Sequence, residues 1–495
     1  MSLDPRTPVI VGVAQTLRRP DPTEATEPVD MMAQALERAA DDSGTGRALL
    51  ARADSIAVPK VVSWRYRDPG ALIASQLGIA PKETVYCSDG GNTPQRLVND
   101  AAESILTGRQ DIVLVAGAEA AYSKQQARKR DYWLEWPKQA DGEPTRFVGE
   151  TTPGLSEIER RRGLGIPVEI YPLFENALRA ASGRSAGEHR AMIADLWSRF
   201  SAVSTTNPHA WSPGYRTGAE IANATAENRI VAWPYTKLLC ANSTTDQAAA
   251  IVLCSVEAAE RAGVPRDRWV FPWSGADAHD HWYLSERADL HSSPALRMAG
   301  RAALQLAGVD LDDLAHLDLY ACFPSAVQVA AAELSLRLDD ARGLTVTGGN
   351  TFAGAPGNSY GMHSIAGMVD VLRADPHSRG LVTGVGWYLT KHAVGIYSSE
   401  PPRSAFRRAI PQAEVDAIPG RKAGDGHVGA VTVESFTVRF DRSGEPTSGV
   451  LACLTANGER AWGTTTDGDV LSASVSADVI GTGGRLGANG VVVPV

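Results

Sequence analysis

The chain repeats itself, and this feature narrows its possible folds more than any other. One copy runs Gly91-Asn92-Thr93, then PQRLVNDAAESILTG, then DIVLVAGAE; the other runs Gly357-Asn358-Ser359, then YGMHSIAGMVDVLR, then GLVTGVGW. From the asparagine to the glycine that closes the strand, the two spacings differ by one residue. A Gly-Asn-Ser/Thr turn that opens a helix and leads to a buried strand, met twice, implies two similar halves about a pseudo-twofold axis. The helix N-termini then point toward a shared centre. The surrounding sequence agrees: residues 9–13 read as a strand, and 29–40 as a helix with apolar residues three and four apart. The continuous apolar run 111–115 reads as a strand buried on both faces. Such alternation predicts layered α/β architecture.

Two stretches depart from the pattern. Residues 121–227 are rich in Trp, Pro, Arg and Asn, including Trp133, Trp136, Trp197 and Trp211. The stretch is too long for a connection within one sheet and reads as an inserted cap of short helices. Beyond Pro411 helical patterning stops, VGAVTVESFTV alternates apolar with polar, and turn signals follow at Gly444-Glu445-Pro446, Asn457-Gly458 and Asp467-Gly468. The expected division is 1–265 for the first half with its insertion, 266–405 for the second, and 411–495 for a small all-β domain, an OB-like barrel or a sandwich.

A formal net charge of −9 argues against nucleic acid or an anionic membrane as the main partner. No apolar stretch approaches the roughly 20 residues of a membrane span. MSLDPRTPVIVGVAQT lacks a signal-peptide apolar core, so a cytoplasmic protein is expected. Cys87, Cys240, Cys254, Cys322 and Cys453 are odd in number and scattered without a C-x-x-C pair. That is neither a disulfide framework nor a zinc site, and no metal is expected.

Five segments resemble the thiolase superfamily, in its acetyl-CoA acetyltransferase-like, sterol-carrier-type branch. RTPVIVGVAQT is similar to a thiolase first strand, ILTGRQDIVLVAGAEA to the passage ending in Ala-Gly-Gly-x-Glu, and NRIVAWPYTKLLCANSTTDQAAA to the close of the first half. LDLYACFPSAV stands where thiolases have Asn-Glu-Ala-Phe, and GGNTFAGAPGNSYG where they have Gly-His-Pro. The resemblance covers residues from about 7 to about 400, and the remainder resembles the extra domain of thiolase-like proteins of actinobacterial type. It implies two βαβαβαββ halves layered α-β-α-β-α, and coenzyme A or an acyl-CoA as ligand rather than a tightly held cofactor. It also implies a cysteine at the N-terminus of the central helix that takes up the acyl group. A histidine and a second cysteine would move protons, with donors at the thioester oxygens. Carried over by position, the nucleophile's place is Gly91, the histidine's is Ala355, and the second cysteine's is Gly384 or Val385. Tyr320 stands for the asparagine, with Cys322 and Phe323 behind it. Without a thiolate, ordinary thiolysis is expected to be absent or very slow.

The remaining candidates for chemistry are Tyr320 as a phenolic acid or oxyanion donor, His363 one turn into its helix, and Lys391 and His392 after the strand that would carry the second cysteine. Each has a plain alternative: a buried hydroxyl, a packed helix histidine and a solvated pair. Cys87, four residues before Gly91, is either a displaced nucleophile or a small buried residue. Asn92, Asn358 and Ser359 are candidates for substrate contact, and Arg160, Arg161 and Arg162 for CoA phosphates or a solvated helix face. Three activities fit: an acyl-CoA-binding protein of lipid metabolism, nominally an acetyltransferase; an acid/base lyase performing retro-aldol cleavage of a β-hydroxyacyl-CoA; or a carrier, monomeric or homodimeric, whose C-terminal domain docks a lipid or protein. Gly357-Asn358-Ser359-Tyr360-Gly361 also matches the nucleophile elbow of serine hydrolases, but the repeat explains the same turn at Gly91. Gly481-Thr482-Gly483-Gly484 leaves too little chain for a nucleotide-binding unit.

Overall fold

A computed structural model of the chain describes residues 3–476 and 479–494. The first sheet contains β1 (Pro8–Leu17), β2 (Ser55–Val58), β3 (Glu83–Cys87), β4 (Ile112–Ala120) and β5 (Arg146–Val148). A short pair, β6 (Ile230–Ala232) and β7 (Tyr235–Thr236), precedes β8 (Asp246–Ser255), which completes the sheet in the order β1-β8-β4-β2-β3-β5. The second sheet holds β9 (Phe271–His279), β10 (His316–Asp318), β11 (Arg379–Gly386), β12 (Lys391–Ser398) and β13 (Arg407–Ala409), ordered β10-β11-β12-β9-β13. All of β4 and β8 is buried, as expected of apolar runs covered on both faces.

The two repeat helices, Thr93–Leu106 and Tyr360–Ala374, lie between these sheets and touch each other. Leu97, Val98, Met362, Ile365 and Val369 pack there with Val113 and Ile251 of the first sheet and Val382 and Tyr397 of the second. Helix Pro28–Asp42 covers the outer face of the first sheet, and helix Pro294–Ala307 that of the second. The result is the α-β-α-β-α layering that the resemblance implies.

Residues 121–227 hold five helices, of which Pro167–Ser182 and Ala186–Ser204 span 16 and 19 residues. These two are longer than the sequence suggests. The second opens on a reciprocal Ser185–Glu188 capping box, and its Trp197 is buried with the indole N–H on Thr351 Oγ1 at 3.0 Å. Trp211 is also buried, whereas Trp133 stays 74% exposed.

The C-terminal region forms an antiparallel sheet of β14 (Gly429–Phe440), β15 (Pro446–Leu454), β16 (Arg460–Thr465), β17 (Gly483–Leu486) and β18 (Val492–Pro494), ordered β16-β15-β14-β17-β18. The turns at 444–446 and 457–458 join β14 to β15 and β15 to β16. The third turn signal behaves differently. Asp467 Oδ1 accepts the backbone N–H groups of Asp469 and Val470 at 2.9 and 3.2 Å, which starts helix Gly468–Ser476. An Asp before a Gly serves a hairpin or a helix N-terminus equally well, so this domain carries a helix as well as strands.

Candidate functional site

The two repeated turns meet. The Gly90 N–H donates to Asn358 Oδ1 at 2.8 Å, and Asn358 Nδ2 donates to Lys60 O at 2.9 Å and Asp89 Oδ1 at 3.3 Å. Asn358 therefore joins the halves, and its amide is spent on that task. The helices approach so closely that a Cβ on Gly361 would stand 3.2 Å from Pro94 Cβ.

Around this junction the glycines are filled from opposite sides. A Cβ on Gly91 would lie 2.2 Å from the Tyr320 hydroxyl and 2.6 Å from Val385 O, distances at which something must move. One on Gly90 would lie 3.0 Å from both Cε and Nζ of Lys391. One on Gly384 would meet Asn92 Cα at 2.9 Å, so β11 presses directly on the helix opening. Ala355 is buried, and its N–H donates to Asn242 O at 2.9 Å.

Tyr320 is 6% exposed and stands edge-on to Tyr360 at 5.2 Å between centroids. Burial raises its phenol well above the ordinary tyrosine range, and the Asn350 side chain bonds to it. The group is therefore a neutral donor at physiological pH. Behind it, burial pushes the Cys322 thiol up to about 12, and Phe323 stacks on Tyr171 at 4.3 Å and on Tyr235 at 5.6 Å.

Lys391 and His392 are not a solvated pair. They open β12 and are 4% and 1% exposed, because Lys391 turns inward beneath two tryptophans while His392 packs on the other face of the sheet against Ser293. Lys391 Nζ donates to Asp89 O, lies 4.0 Å from Glu150 Oε2, and sits 5.8 and 5.9 Å from the ring centroids of Trp282 and Trp387. Desolvation, opposed by the Glu150 charge and assisted by Arg96, lowers its amine to about 8. His392 Nε2 lies 3.0 Å from Ser293 Oγ and 3.2 Å from Leu389 O. A cavity of about 230 Å³ runs along Asn92, Arg96, Glu150, Asp277, Lys391 and His392.

The other candidates lie apart from this chemistry. His363 is buried with Nδ1 at 2.9 Å from Gln15 Oε1, and desolvation pushes it down to about 3, which keeps it neutral. Ser359 is fully buried, and its Oγ has no hydrogen-bond partner among the described residues, so no base activates it and no substrate reaches it. Cys87 ends β3 with no exposure, and burial raises its thiol far from thiolate formation. Arg160 donates to Leu155 O at 2.8 Å, Arg161 to Asp425 Oδ2 at 3.0 Å, and Arg162 to Asn489 O at 3.2 Å. Two of the three arginines thus bind the C-terminal region.

Sequence reasoning missed Arg96, Glu150, Trp282, Trp387 and Asn350. Arg96 lies on the repeat helix and was open to detection, since it is one turn past Asn92. Glu150 and Trp282 come from irregular connections with no periodicity to mark them. Among the described residues no helix is long and apolar enough to cross a membrane, and no cluster of three or more His, Cys, Asp or Glu is placed to hold a metal.

Residues 411–491 match the family described as the thiolase-like protein type 1 additional C-terminal domain. Over 98% of this chain and 97% of the other, the fold superposes with a TM-score of 0.84 and 33% identity on a monomeric SCP2-thiolase-like protein type 1 from Mycobacterium smegmatis. An Ltp2–ChsH2(DUF35) aldolase shares the fold over 80% of this chain and 99% of its own, with a TM-score of 0.60 and 19% identity. The dimeric peroxisomal thiolase of Saccharomyces cerevisiae does so over 81% and 99%, with a TM-score of 0.56 and 14% identity. With the fold, the doubled helix openings and the extra domain all in agreement, the chain belongs to the SCP2-thiolase-like protein type 1 family.

Proposed function

We propose that this protein binds an acyl-CoA and does not carry the acyl group on itself, so that thiolysis and condensation of the ordinary kind are absent or very weak. The observation that supports this most directly is the filling of the Gly91 position: the space into which a side chain would project belongs to the Tyr320 hydroxyl, 2.2 Å from that Cβ. A phenol held neutral can donate to a thioester oxygen but cannot accept an acyl group at useful rate. Cytoplasmic residence suits five free, buried cysteines. A monomer suits β5, which covers the β3 edge of the first sheet. The test pairs acetyl-CoA and acetoacetyl-CoA with the purified chain, following free thiol release and intact protein mass. Saturable CoA binding with no acylated protein and no thiol release above background is expected. An acyl adduct on the protein would overturn the proposal.

A second reading, retro-aldol cleavage of a β-hydroxyacyl-CoA, is favoured by Lys391. Its amine, lowered to about 8, lies beside the helix opening, where a base able to take the β-hydroxyl proton is needed. Release of a free aldehyde or ketone from β-hydroxyacyl-CoA substrates would decide for it, and their quantitative recovery unchanged would decide against it.

A further inference from the structure

Lys391 stands in surroundings that proton transfer alone does not explain. Its side chain is 5% exposed, and the nearest carboxylate, Glu150, stops at 4.0 Å instead of closing a tight ion pair. The Nζ holds the backbone carbonyl of Asp89, while the rings of Trp282 and Trp387 enclose it. The walls of the adjoining cavity set polar groups that are short of partners among apolar surface, including Ala278 and Ile410. Among the described residues, Asn92 Oδ1, Glu150 Oε2, Asp277 Oδ1 and Arg96 Nε have no hydrogen-bond partner. The walls therefore offer three unpartnered acceptors against the single unpartnered Arg96 N–H, beyond the lysine itself.

Charge narrows the choice of ligand. Arg408 is held by Asp277 and Asp100, and Arg96 by Glu150 at 3.2 Å. The cations and carboxylates of the wall offset one another, which leaves no surplus positive charge for an anion. A ligand suited to such walls is neutral and rich in O–H donors. The cavity, of about 230 Å³ and open on one side, has room beside the lysine for a short chain.

We infer that Lys391 is an imine-forming lysine, and that the cavity beside it takes a short, neutral, hydroxylated aldehyde or ketone. The free amine attacks the carbonyl carbon; the C–N bond forms, the carbonyl electron pair moves to oxygen, and one amine proton passes to that oxygen through Glu150. The nitrogen lone pair then forms C=N as the carbinolamine C–O bond breaks, the second N–H proton passes through Glu150 to the departing oxygen, and water leaves. Amine and carbonyl become imine and water, with no change of oxidation state. Enclosure supplies the free amine near neutrality, since desolvation outweighs Glu150 and Asp89 and is reinforced by Arg96.

The test is reductive trapping. The full chain is incubated with glycolaldehyde, dihydroxyacetone, acetaldehyde or pyruvate and borohydride, and the modified lysines are mapped by peptide mass. Exposed Lys82, whose amine is raised by its bond to Asp54, is the internal control. Lys391 is expected to be labelled more than about tenfold faster than Lys82 at pH 7.5, because the free-amine fraction falls tenfold for each pKa unit above the working pH. Its rate should level off above pH 8, and the hydroxylated carbonyls should outrun pyruvate. Glu150→Gln, which keeps the side chain's shape, should slow labelling of Lys391 and leave Lys82 unchanged. Labelling of Lys391 no faster than Lys82, or pyruvate faster than glycolaldehyde, would overturn the inference. CoA binding is measured separately on unmodified protein, so failure of the imine leaves the acyl-CoA reading standing, and failure of CoA binding leaves the imine standing.

Discussion

Replacing Gly91 by alanine adds one methyl group at the place where the halves close on each other. It would arrive 2.2 Å from the Tyr320 hydroxyl, 2.7 Å from Tyr320 Cζ and 2.6 Å from Val385 O. Neither neighbour yields easily. Val385 O belongs to β11, and the tyrosine ring is buried and fixed against Tyr360. Overpacking ordinarily costs about 1–3 kcal/mol, and contact with strand backbone puts this case at the upper end, about 3 kcal/mol. At about 2 °C per kcal/mol for a large domain, the melting temperature should fall by about 6 °C. Tyr320→Ala alone is also expensive, since emptying an aromatic site costs about 3–5 kcal/mol. The pair should be less destabilised than the sum of the singles, by about 1 kcal/mol or more, because each change relieves the other. Differential scanning fluorimetry on the four proteins, backed by urea unfolding followed through tryptophan, measures both quantities. If Gly91→Ala melts within about 1 °C of the parent, or the two changes add without coupling, the filled-glycine argument fails, and with it the main support for a non-acylated mechanism.

Three further outcomes follow from the same structure. His363 has a folded-state value of about 3 against 6.5 when unfolded, so protons favour the unfolded chain; its contribution is complete above pH 6.5 and declines as pH falls toward 3. By pH 5 it should have lost about 2 kcal/mol, a loss that His363→Gln abolishes, and parallel melting curves for the two proteins from pH 5 to 7.5 would contradict this. Lys391 is likewise lowered, to about 8, so burial of its ammonium penalises the folded state below that pH; Lys391→Met should stabilise the protein by up to about 3 kcal/mol at pH 7, with the gain fading between pH 8 and 10.5, and a pH-independent effect would refute the assignment. Arg460 is fully buried, chelates Glu434 and donates to Leu284 O and Arg287 O at 2.6 Å; Arg460→Leu strands the carboxylate and both carbonyls, should cost about 3–5 kcal/mol, and should expose the C-terminal domain to limited trypsin digestion.

Much of the frame was legible in the chain because periodicity and turn chemistry are local. The repeat placed both central helices, since the spacing from a Gly-Asn turn to a buried strand is a property of one βαβ passage. The helix read over 29–40 runs from Pro28 to Asp42, bounded by a proline at its start and a serine at its end. The site was less legible for a physical reason. Tyr320 and Gly91 are far apart in sequence, and only their approach shows that the tyrosine is large because the glycine is small. Lys391-His392 could be read as catalytic groups or as a solvated pair, because charge is the only local signal that two residues give. Their burial depends on Trp282, Trp387 and the strand β9, which no local pattern connects to them. The Asp-Gly at 467–468 misled in the opposite way, because the same side-chain oxygen that tightens a hairpin also caps a helix.

Helix Pro167–Ser182 links the candidate site to the C-terminal sheet. On one side Tyr171 stacks on Phe323 and donates its hydroxyl to Trp387 O at 3.2 Å, which sets two walls of the candidate site. On the other, Leu173 O accepts the Ser435 hydroxyl, and Asn176 Nδ2 donates to Phe436 O at 2.9 Å. Both contacts tie the helix to β14, the central strand of the added domain. Between them Glu175, with no exposure, gathers His189, Tyr235 and Gln328 on one carboxylate. A carboxylate so enclosed holds its position only while all its partners stay, so the helix can rotate or slide only by breaking several buried bonds at once. One helix thus joins the C-terminal sheet to Tyr171, and through it to Phe323 and Trp387, by buried bonds.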